Sequence, residues 1–437
     1  MKQAKYHLTC VECGAVTPDF KTWFDQNQMC QKCGSKHSEV WYDRDYRLFP
    51  QLTENNSDSF WQYFNYLPLY HQENIVTRKE GGIPLQRWDF LDTFAKETYG
   101  LNINVLVYRN DLNGGTGTFK DVAASLAASL FKEQGINQYC IASTGNTATA
   151  YATYLSIAGI NCSVFIPENA SKTTEAFISA CGQQVFRVKG DYAKTKEIAG
   201  VYSKKNHILS STGNIDPIRV EAKKTMVFEW LRQFGKMPDV YIQAVSGGTA
   251  PIAIDKGVRE LVPTHPTLKN PRFILAQPDK CDPMVQAWEK AEKTGFLEGY
   301  EKKYPIIDYP DTMVSVLATG NPTSYPILAK LVKNSDGTFI RVNENKLVDV
   351  AKLISFENNV MIGPASAVCI AGYFESLRKG LVKDGETVLL NIGEGVRSTP
   401  EFVEQMIYTS KDVDDAGQCN PHLIQSYWKQ LWDAVVK

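Results

Sequence analysis

Two groups of residues have types and spacings that could do chemistry. The first is Asn113-Gly-Gly-Thr-Gly-Thr-Phe-Lys-Asp121, whose glycines make a turn that can bring backbone close to a ligand. Val122–Leu130 follows as a small-residue helical stretch with Val122, Leu126 and Leu130 along one face. Lys120 thus lies where a turn enters a helix, beside Phe119 and that apolar face. A lone lysine there is ordinarily a solvated side chain. Desolvated, its amine gives up its proton at lower pH and can form a Schiff base. Which applies depends on whether the chain supplies a cofactor site around it. The second group is Cys10-Val-Glu-Cys13 and Cys30-Gln-Lys-Cys33, sixteen residues apart, each pair followed by a glycine. That is the spacing of two zinc knuckles giving four thiolates to one tetrahedral Zn2+. Four protein ligands leave no open position, so such a metal is structural and not catalytic.

Two more turns supply what Lys120 lacks. Ser143-Thr144-Gly145-Asn146-Thr147 offers hydroxyls, backbone N–H groups and the Asn146 amide to a carboxylate. Ser246-Gly247-Gly248-Thr249 offers consecutive N–H groups and two hydroxyls, a cradle for a phosphate. Each is ordinary capping chemistry alone. Together they describe an amine, a phosphate cradle and a carboxylate clamp, which suits a phosphorylated aldehyde cofactor carrying an amino acid.

Strand and helix patterns alternate from about residue 93, the mark of a parallel sheet with crossovers. Strands are expected at 105–109, 139–143, 162–167, 184–188, 240–245, 273–277 and 387–391. The three turns fall at the carboxyl ends of such strands, where following helices present free N–H groups. The expected organisation is a zinc ribbon over 1–46, an aromatic-rich connecting segment over 47–92, an α/β subdomain over 93–235 carrying Lys120, a second over 236–410 carrying the phosphate loop, and a helical extension over 411–437.

Composition excludes several classes. A net charge of −1 argues against nucleic acid and anionic membranes as partners. No apolar run approaches the roughly 20 residues that span a bilayer, and Met1–His7 lacks a signal-peptide stretch. The ten cysteines do not suggest a disulfide framework, so a cytoplasmic protein is expected.

The chain resembles the threonine synthases within the fold type II pyridoxal-phosphate enzymes. Glu80-Gly-Gly-Ile-Pro-Leu85 resembles the family's E-G-x-T-P-L, and Thr118-Phe-Lys-Asp121 its S-F-K-D. Ser143–Thr147 resembles S-S-G-N-T, Asn214-Ile-Asp-Pro-Ile-Arg219 resembles S-x-N-P-x-R, and Thr319–Ser324 resembles I-G-N-P-x-S. The paired C-x-x-C ribbon also occurs in part of this family. The resemblance implies two three-layer α/β/α subdomains around parallel sheets, with pyridoxal 5'-phosphate on Lys120. It implies that Phe119, Asn146 and Ser246–Thr249 hold the cofactor. Ser143–Thr147, Asn214 and Arg219 then bind a small, acidic or phosphorylated amino-acid substrate, in a monomer or homodimer. Departures bear on the reaction: Val122 stands where an arginine usually follows F-K-D, and Ser246-Gly-Gly-Thr249 replaces an Asn-rich loop in favour of a cysteine-synthase-like one. Asn391-Ile-Gly-Glu-Gly395 aligns with T-G-H-G or S-x-G-E segments, which leaves Asn391 or, one residue on, Ile392 facing the pyridine nitrogen. A neutral amide there suits elimination and replacement chemistry.

Three functions are compatible with these residues. One is amino-acid biosynthesis by threonine-synthase chemistry, taking O-phospho-L-homoserine and water to L-threonine and phosphate. Another is β-replacement or elimination on a phosphoserine-like amino acid, as in cysteate synthases; Val122 and the Gly-Gly-Thr loop favour it. The third is a non-catalytic zinc-ribbon binding module, against which the intact Lys120 argues.

Overall fold

Runs such as Val388-Leu-Leu-Asn-Ile392 are apolar on both strand faces, which only helices packed on each side can bury. In the computed structural model, which describes residues 5–42, 58–397, 399–419 and 424–436, that is the arrangement found. The strands are β1 (Tyr6–Cys10), β2 (Val16–Thr17), β3 (Ser38–Tyr42), β4 (Leu85–Arg87), β5 (Asn104–Arg109), β6 (Gln138–Ala142) and β7 (Asn161–Pro167). They continue as β8 (Gln184–Val188), β9 (Leu209–Ser210), β10 (Val240–Ala244), β11 (Arg272–Pro278), β12 (Thr338–Val342) and β13 (Thr387–Ile392). A six-stranded sheet runs β12-β11-β10-β13-β5-β4, parallel except for the edge strand β4. A four-stranded parallel sheet runs β8-β7-β6-β9.

Side-chain alternation assigns the two faces of the large sheet. Tyr108, Tyr241, Phe273 and Leu389 join one core cluster, while Val107, Ile242, Ile274, Leu390 and Ile392 join the other. From β10 the chain moves outward through β11 and β12, then returns to β13 on the other side of β10. Such a reversal opens a crevice at the carboxyl ends of the strands.

The sheets do not follow the division expected at residue 235. β5, from the first expected subdomain, pairs along its length with β13 from the second. Residues 138–210, which form the small sheet, are an excursion between them. Period-2 patterning marks a strand but does not name its neighbour, which here lies far away in sequence. Residues 43–57, the end of the expected ribbon and the start of the expected connecting segment, lie outside the described residues. At the other end, Trp432 of the helix Ile424–Val436 stacks on Phe94, with ring centroids 4.9 Å apart.

The N-terminal ribbon is an antiparallel sheet ordered β2-β1-β3. The Sγ atoms of Cys10, Cys13, Cys30 and Cys33 all lie within 4.8 Å of one another, a cluster able to hold a metal such as zinc. Both knuckles close alike: Gly14 N–H donates to the Cys10 carbonyl (2.9 Å) and Gly34 N–H to that of Cys30 (2.8 Å). The ribbon has no core of its own. Tyr6, Leu8, Phe20, Trp23, Phe24 and Val40 belong to the cluster that fills the catalytic body.

It also covers a buried ionic group. Glu221 and Lys224 on the helix Pro217–Phe234 meet Lys256 and Glu260 on the helix Thr249–Leu261, with all four side chains at most 2% exposed. Lys224 Nζ donates to Glu221 (2.6 Å) and Glu260 (2.8 Å), and Lys256 to Glu260. From β3, Tyr42 Oη donates to Glu221 at 2.6 Å, and the Trp41 ring lies 4.3 Å from Lys256 Nζ. Removing one member leaves an uncompensated charge in the interior, so Lys224→Met is expected to destabilise the protein by about 3–5 kcal/mol in denaturant unfolding. Metal analysis is expected to find zinc in the wild type and none in Cys13→Ser/Cys30→Ser. Because the ribbon shares the main core, that variant's thermal midpoint should fall by about 5 °C or more.

Candidate active site

The carboxyl ends of β5, β6, β10 and β13 converge on one pocket. It is lined by Phe119, Lys120, Ser143, Thr144, Asn146 and Thr147, by Asn214, Arg219 and Ser246–Thr249, and by Asn391. Residues expected from separate stretches of sequence are thus brought together, with Gly145 inside the Ser143–Thr147 loop. The ribbon cysteines lie elsewhere.

The Lys120 turn is built around two buried acids. Asp121, fully buried, accepts from Thr116 N–H (2.9 Å), Thr116 Oγ1 (2.8 Å) and Thr118 N–H (3.2 Å). Glu80 accepts from Arg78 N–H (2.7 Å) and Tyr154 Oη (2.7 Å), joining the turn Glu80–Leu85 to the helix Asn146–Ile157. Lys120 stands at the start of the helix Asp121–Glu133 with its Nζ 3.9 Å from the centroid of the Phe119 ring.

Before the helix Thr249–Leu261, the N–H groups of Gly247 and Gly248 meet no acceptor among the described residues, nor does that of Thr249 at the first helical position. They form an anion cradle reinforced by the helix dipole. The backbone must be bare there: a Cβ on Gly247 would fall 1.9 Å from Asn214 Nδ2, and one on Gly248, at φ +69°, 2.3 Å from Leu328 Cδ1. Ser246 Oγ and Thr319 Oγ1 share a hydrogen bond of 2.6 Å at the rim.

In the Ser143–Thr147 loop, Ser143 Oγ accepts from Gly145 N–H (3.2 Å) and Ala148 N–H (3.1 Å), so this hydroxyl shapes the loop. Thr144 and Thr147 face the pocket. Asn146 Nδ2 donates to Glu394 Oε2. Arg219 is buried, its Nη2 donating to Ser211 Oγ (2.7 Å) and its Nε to Tyr151 Oη (3.3 Å), and it forms no salt bridge among the described residues. Asn214 Oδ1 accepts from Thr249 Oγ1 at 3.3 Å, tying the Arg219 segment to the cradle.

Strand alternation resolves the register after β13. Leu390 and Ile392 pack in the far core, so Asn391 between them faces the pocket. Asn391 Oδ1 accepts from Asn110 Nδ2 (2.7 Å), while its own Nδ2 is buried with no partner among the described residues. A buried N–H left unpaired costs about 1–3 kcal/mol, so this donor points to a ligand acceptor. An amine, an anion cradle and an orphaned donor fit a phosphorylated pyridine aldehyde.

Sequence reasoning missed Tyr192, Gln243, Val316 and Leu317, which line the pocket; Thr319, noted only as part of a motif, lines it too. Gln243 had a legible signal, a polar residue near the carboxyl end of an otherwise apolar strand; Tyr192, opening a surface-patterned helix, had none. Glu394 is 1% exposed and accepts from Ala365 N–H at 2.8 Å; burial raises its pKa. Lys223, one turn after Arg219, puts its Nζ 4.3 Å from the Phe119 ring, on which Lys120 also lies.

Comparison with known proteins agrees with this geometry. The family profile described as pyridoxal-phosphate dependent enzyme matches residues 76–393. A threonine synthase of Methanocaldococcus jannaschii is 29% identical over 394 residues, covering 85% of this chain and 92% of its own. One of Methanosarcina acetivorans is 28% identical over 393 residues, covering 88% and 90%. Among solved structures, an O-ureido-L-serine synthase superposes with a TM-score of 0.60 at 15% identity, covering 79% of this chain and 98% of its own. Threonine deaminase isoform 2 from Solanum lycopersicum does so with a TM-score of 0.57 at 17% identity, covering 74% and 82%. At these identities the structural likeness is one of fold. Pocket, fold and family match agree, and the chain belongs to the pyridoxal-phosphate dependent enzymes, as a threonine-synthase-like lyase of fold type II.

Proposed function

We propose that this enzyme converts O-phospho-L-homoserine and water to L-threonine and phosphate. The observation that carries the reading is a cationic cavity without acids. Beyond Arg219 the pocket continues into a second cavity lined by Lys196, by Lys36 of the ribbon, and by Ser211, Thr212 and Asn321, with no carboxylate among the described residues of its wall. Arg219 and Tyr192 line both spaces. A phosphorylated side chain anchored at its amino-acid end suits that arrangement.

Each group has a task in this reading. The cradle at Gly247–Thr249 holds the cofactor phosphate, and the loop Ser143–Thr147 holds the substrate carboxylate. When bound, pyridoxal 5'-phosphate supplies an electron sink that makes the α and β protons of the substrate removable. Lys120 Nζ takes and returns those protons. Burial, and next the charge of Arg219, push its pKa down to about 7 against the pull of Glu394, so above pH 7 the amine is largely neutral and can accept a proton. Arg219 and Lys196 stabilise the departing phosphate, and Val316 and Leu317 form an apolar wall that limits water. β-Replacement on a phosphoserine-like amino acid is the second reading, favoured by Val122, buried in the core, and by the Gly-Gly cradle.

Purified protein given O-phosphohomoserine is expected to release phosphate and form threonine in equal amounts. Inertness toward it, with phosphate released from O-phosphoserine, would overturn the first reading for the second. Arg219→Gln should raise KM about 10–100-fold through loss of a charge-assisted pair. Lys36→Gln should raise it a few-fold at low ionic strength, an effect that fades with added salt. The neutral fraction of Lys120 grows as pH rises through its pKa. Cofactor capture by the apoenzyme, followed by visible absorbance, should therefore rise through pH 7 and level off. An amine at the ordinary value, about 10.4, would give a rate still climbing at about pH 9.

A further inference from the structure

Three buried asparagines connect the turn at Gly81 to the pocket. Asn110, Asn113 and Asn391 are 3%, 4% and 2% exposed, so their amides are removed from bulk water. The chain begins at the backbone N–H of Gly81, which can only donate, and it donates to Asn113 Oδ1 at 2.8 Å. Gly81 holds φ +88°, and a Cβ there would come 2.5 Å from Phe60 Cβ, so the starting donor sits on a backbone that only glycine allows. With its oxygen so committed, Asn113 turns Nδ2 to the carbonyls of Asn110 (3.0 Å) and Thr118 (3.1 Å), which can only accept. That same Nδ2 lies 3.3 Å from Asn110 Oδ1. A reversed Asn110 would set two NH2 groups against each other, so Asn110 points Nδ2 at Asn391 Oδ1, 2.7 Å away. Asn391 is left with an unpartnered N–H in the pocket.

We propose that Asn110 and Asn113 are positioning residues, forming with Gly81 N–H a one-way hydrogen-bond chain that locks Asn391 as a donor toward the cofactor ring nitrogen. This rests on the reading that Asn391 faces that nitrogen. Polarity set at a backbone N–H is handed across the carboxyl ends of β5 and β13 and selects a ring nitrogen in its accepting, unprotonated form. The chain is independent of pH, since none of its members titrates. Asn391 stands on β13 with its neighbours' side chains on the opposite face, so it can turn its amide but not leave the pocket wall.

The test is the 15N resonance of the ring nitrogen in holoenzyme reconstituted with ring-15N pyridoxal 5'-phosphate. The wild type is expected at the unprotonated position across the pH range in which it stays folded. In Asn110→Asp a carboxylate that can only accept draws the Asn391 N–H toward itself, turns the Asn391 carbonyl to the pocket, and moves the resonance to the protonated position. If burying that carboxylate prevents folding, Asn110→Ala serves instead: Asn391 is then free to turn, and the resonance should drift with pH where the wild type's is fixed. An unmoved resonance in the folded Asn110 variant, while Asn391→Asp does shift it, overturns the chain and leaves the placement of Asn391 standing. No shift in Asn391→Asp either would overturn that placement as well.

Discussion

Keeping an amine uncharged inside a pocket that must attract anions is the constraint on which the rest depends. Burial favours the neutral form of Lys120, and the charge of Arg219 pushes the same way, so the guanidinium that lines the pocket also frees the amine. Among the described residues, Glu394 is the one carboxylate lining the pocket. It is tied to Asn146 Nδ2 and Ala365 N–H, so its charge is partly engaged and its pull on Lys120 is limited. Asp121, though adjacent to Lys120 in sequence, is turned wholly inward to hold the turn.

Such a pocket needs walls from distant parts of the chain, held at fixed spacing. The helices that carry Arg219 and the anion cradle are joined by the buried group Glu221, Lys224, Lys256 and Glu260. That group is closed from above by Trp41 and Tyr42 of the ribbon, and Arg259 reaches Glu39 from the same face. The third strand of the ribbon therefore packs against the two helices whose amino-terminal ends define the site. The same ribbon places Lys36 on the cavity that continues from Arg219.

Donor and acceptor placement follows a similar economy. Ser143 closes its own loop, Asn214 and Thr249 fasten to each other, and Asn110 and Asn113 spend their amides on orientation. Among the described residues, what stays open to a ligand includes the backbone N–H groups at Gly247–Thr249, the Asn391 N–H, the Lys120 amine and the Arg219 guanidinium. Selectivity in such a site comes from the few groups left unsatisfied more than from the number of polar residues lining it.

Much of this was legible in the chain itself, because local patterns carry it. Three glycine- or serine-rich turns after apolar runs marked the segments that the fold gathers around one pocket, and the paired C-x-x-C spacing marked four cysteines that the fold brings together. Strand positions were readable where both faces are apolar, as at Val240–Ala244, and missed at Thr338–Val342, where Thr338 and Arg341 dilute the pattern of an edge strand. Which strands are neighbours was not legible: β5 against β13, with residues 138–210 set aside as a second sheet, is a long-range pairing that no local period encodes. The register at Asn391 was open by one residue until its strand was paired and its flanking leucine and isoleucine found the far core. The role of Glu394, the approach of Lys223 to the Phe119 ring and the direction of the asparagine chain were decided by tertiary structure alone. They depend on contacts between segments remote in sequence, and on burial, which removes the water that would otherwise satisfy those groups in either orientation.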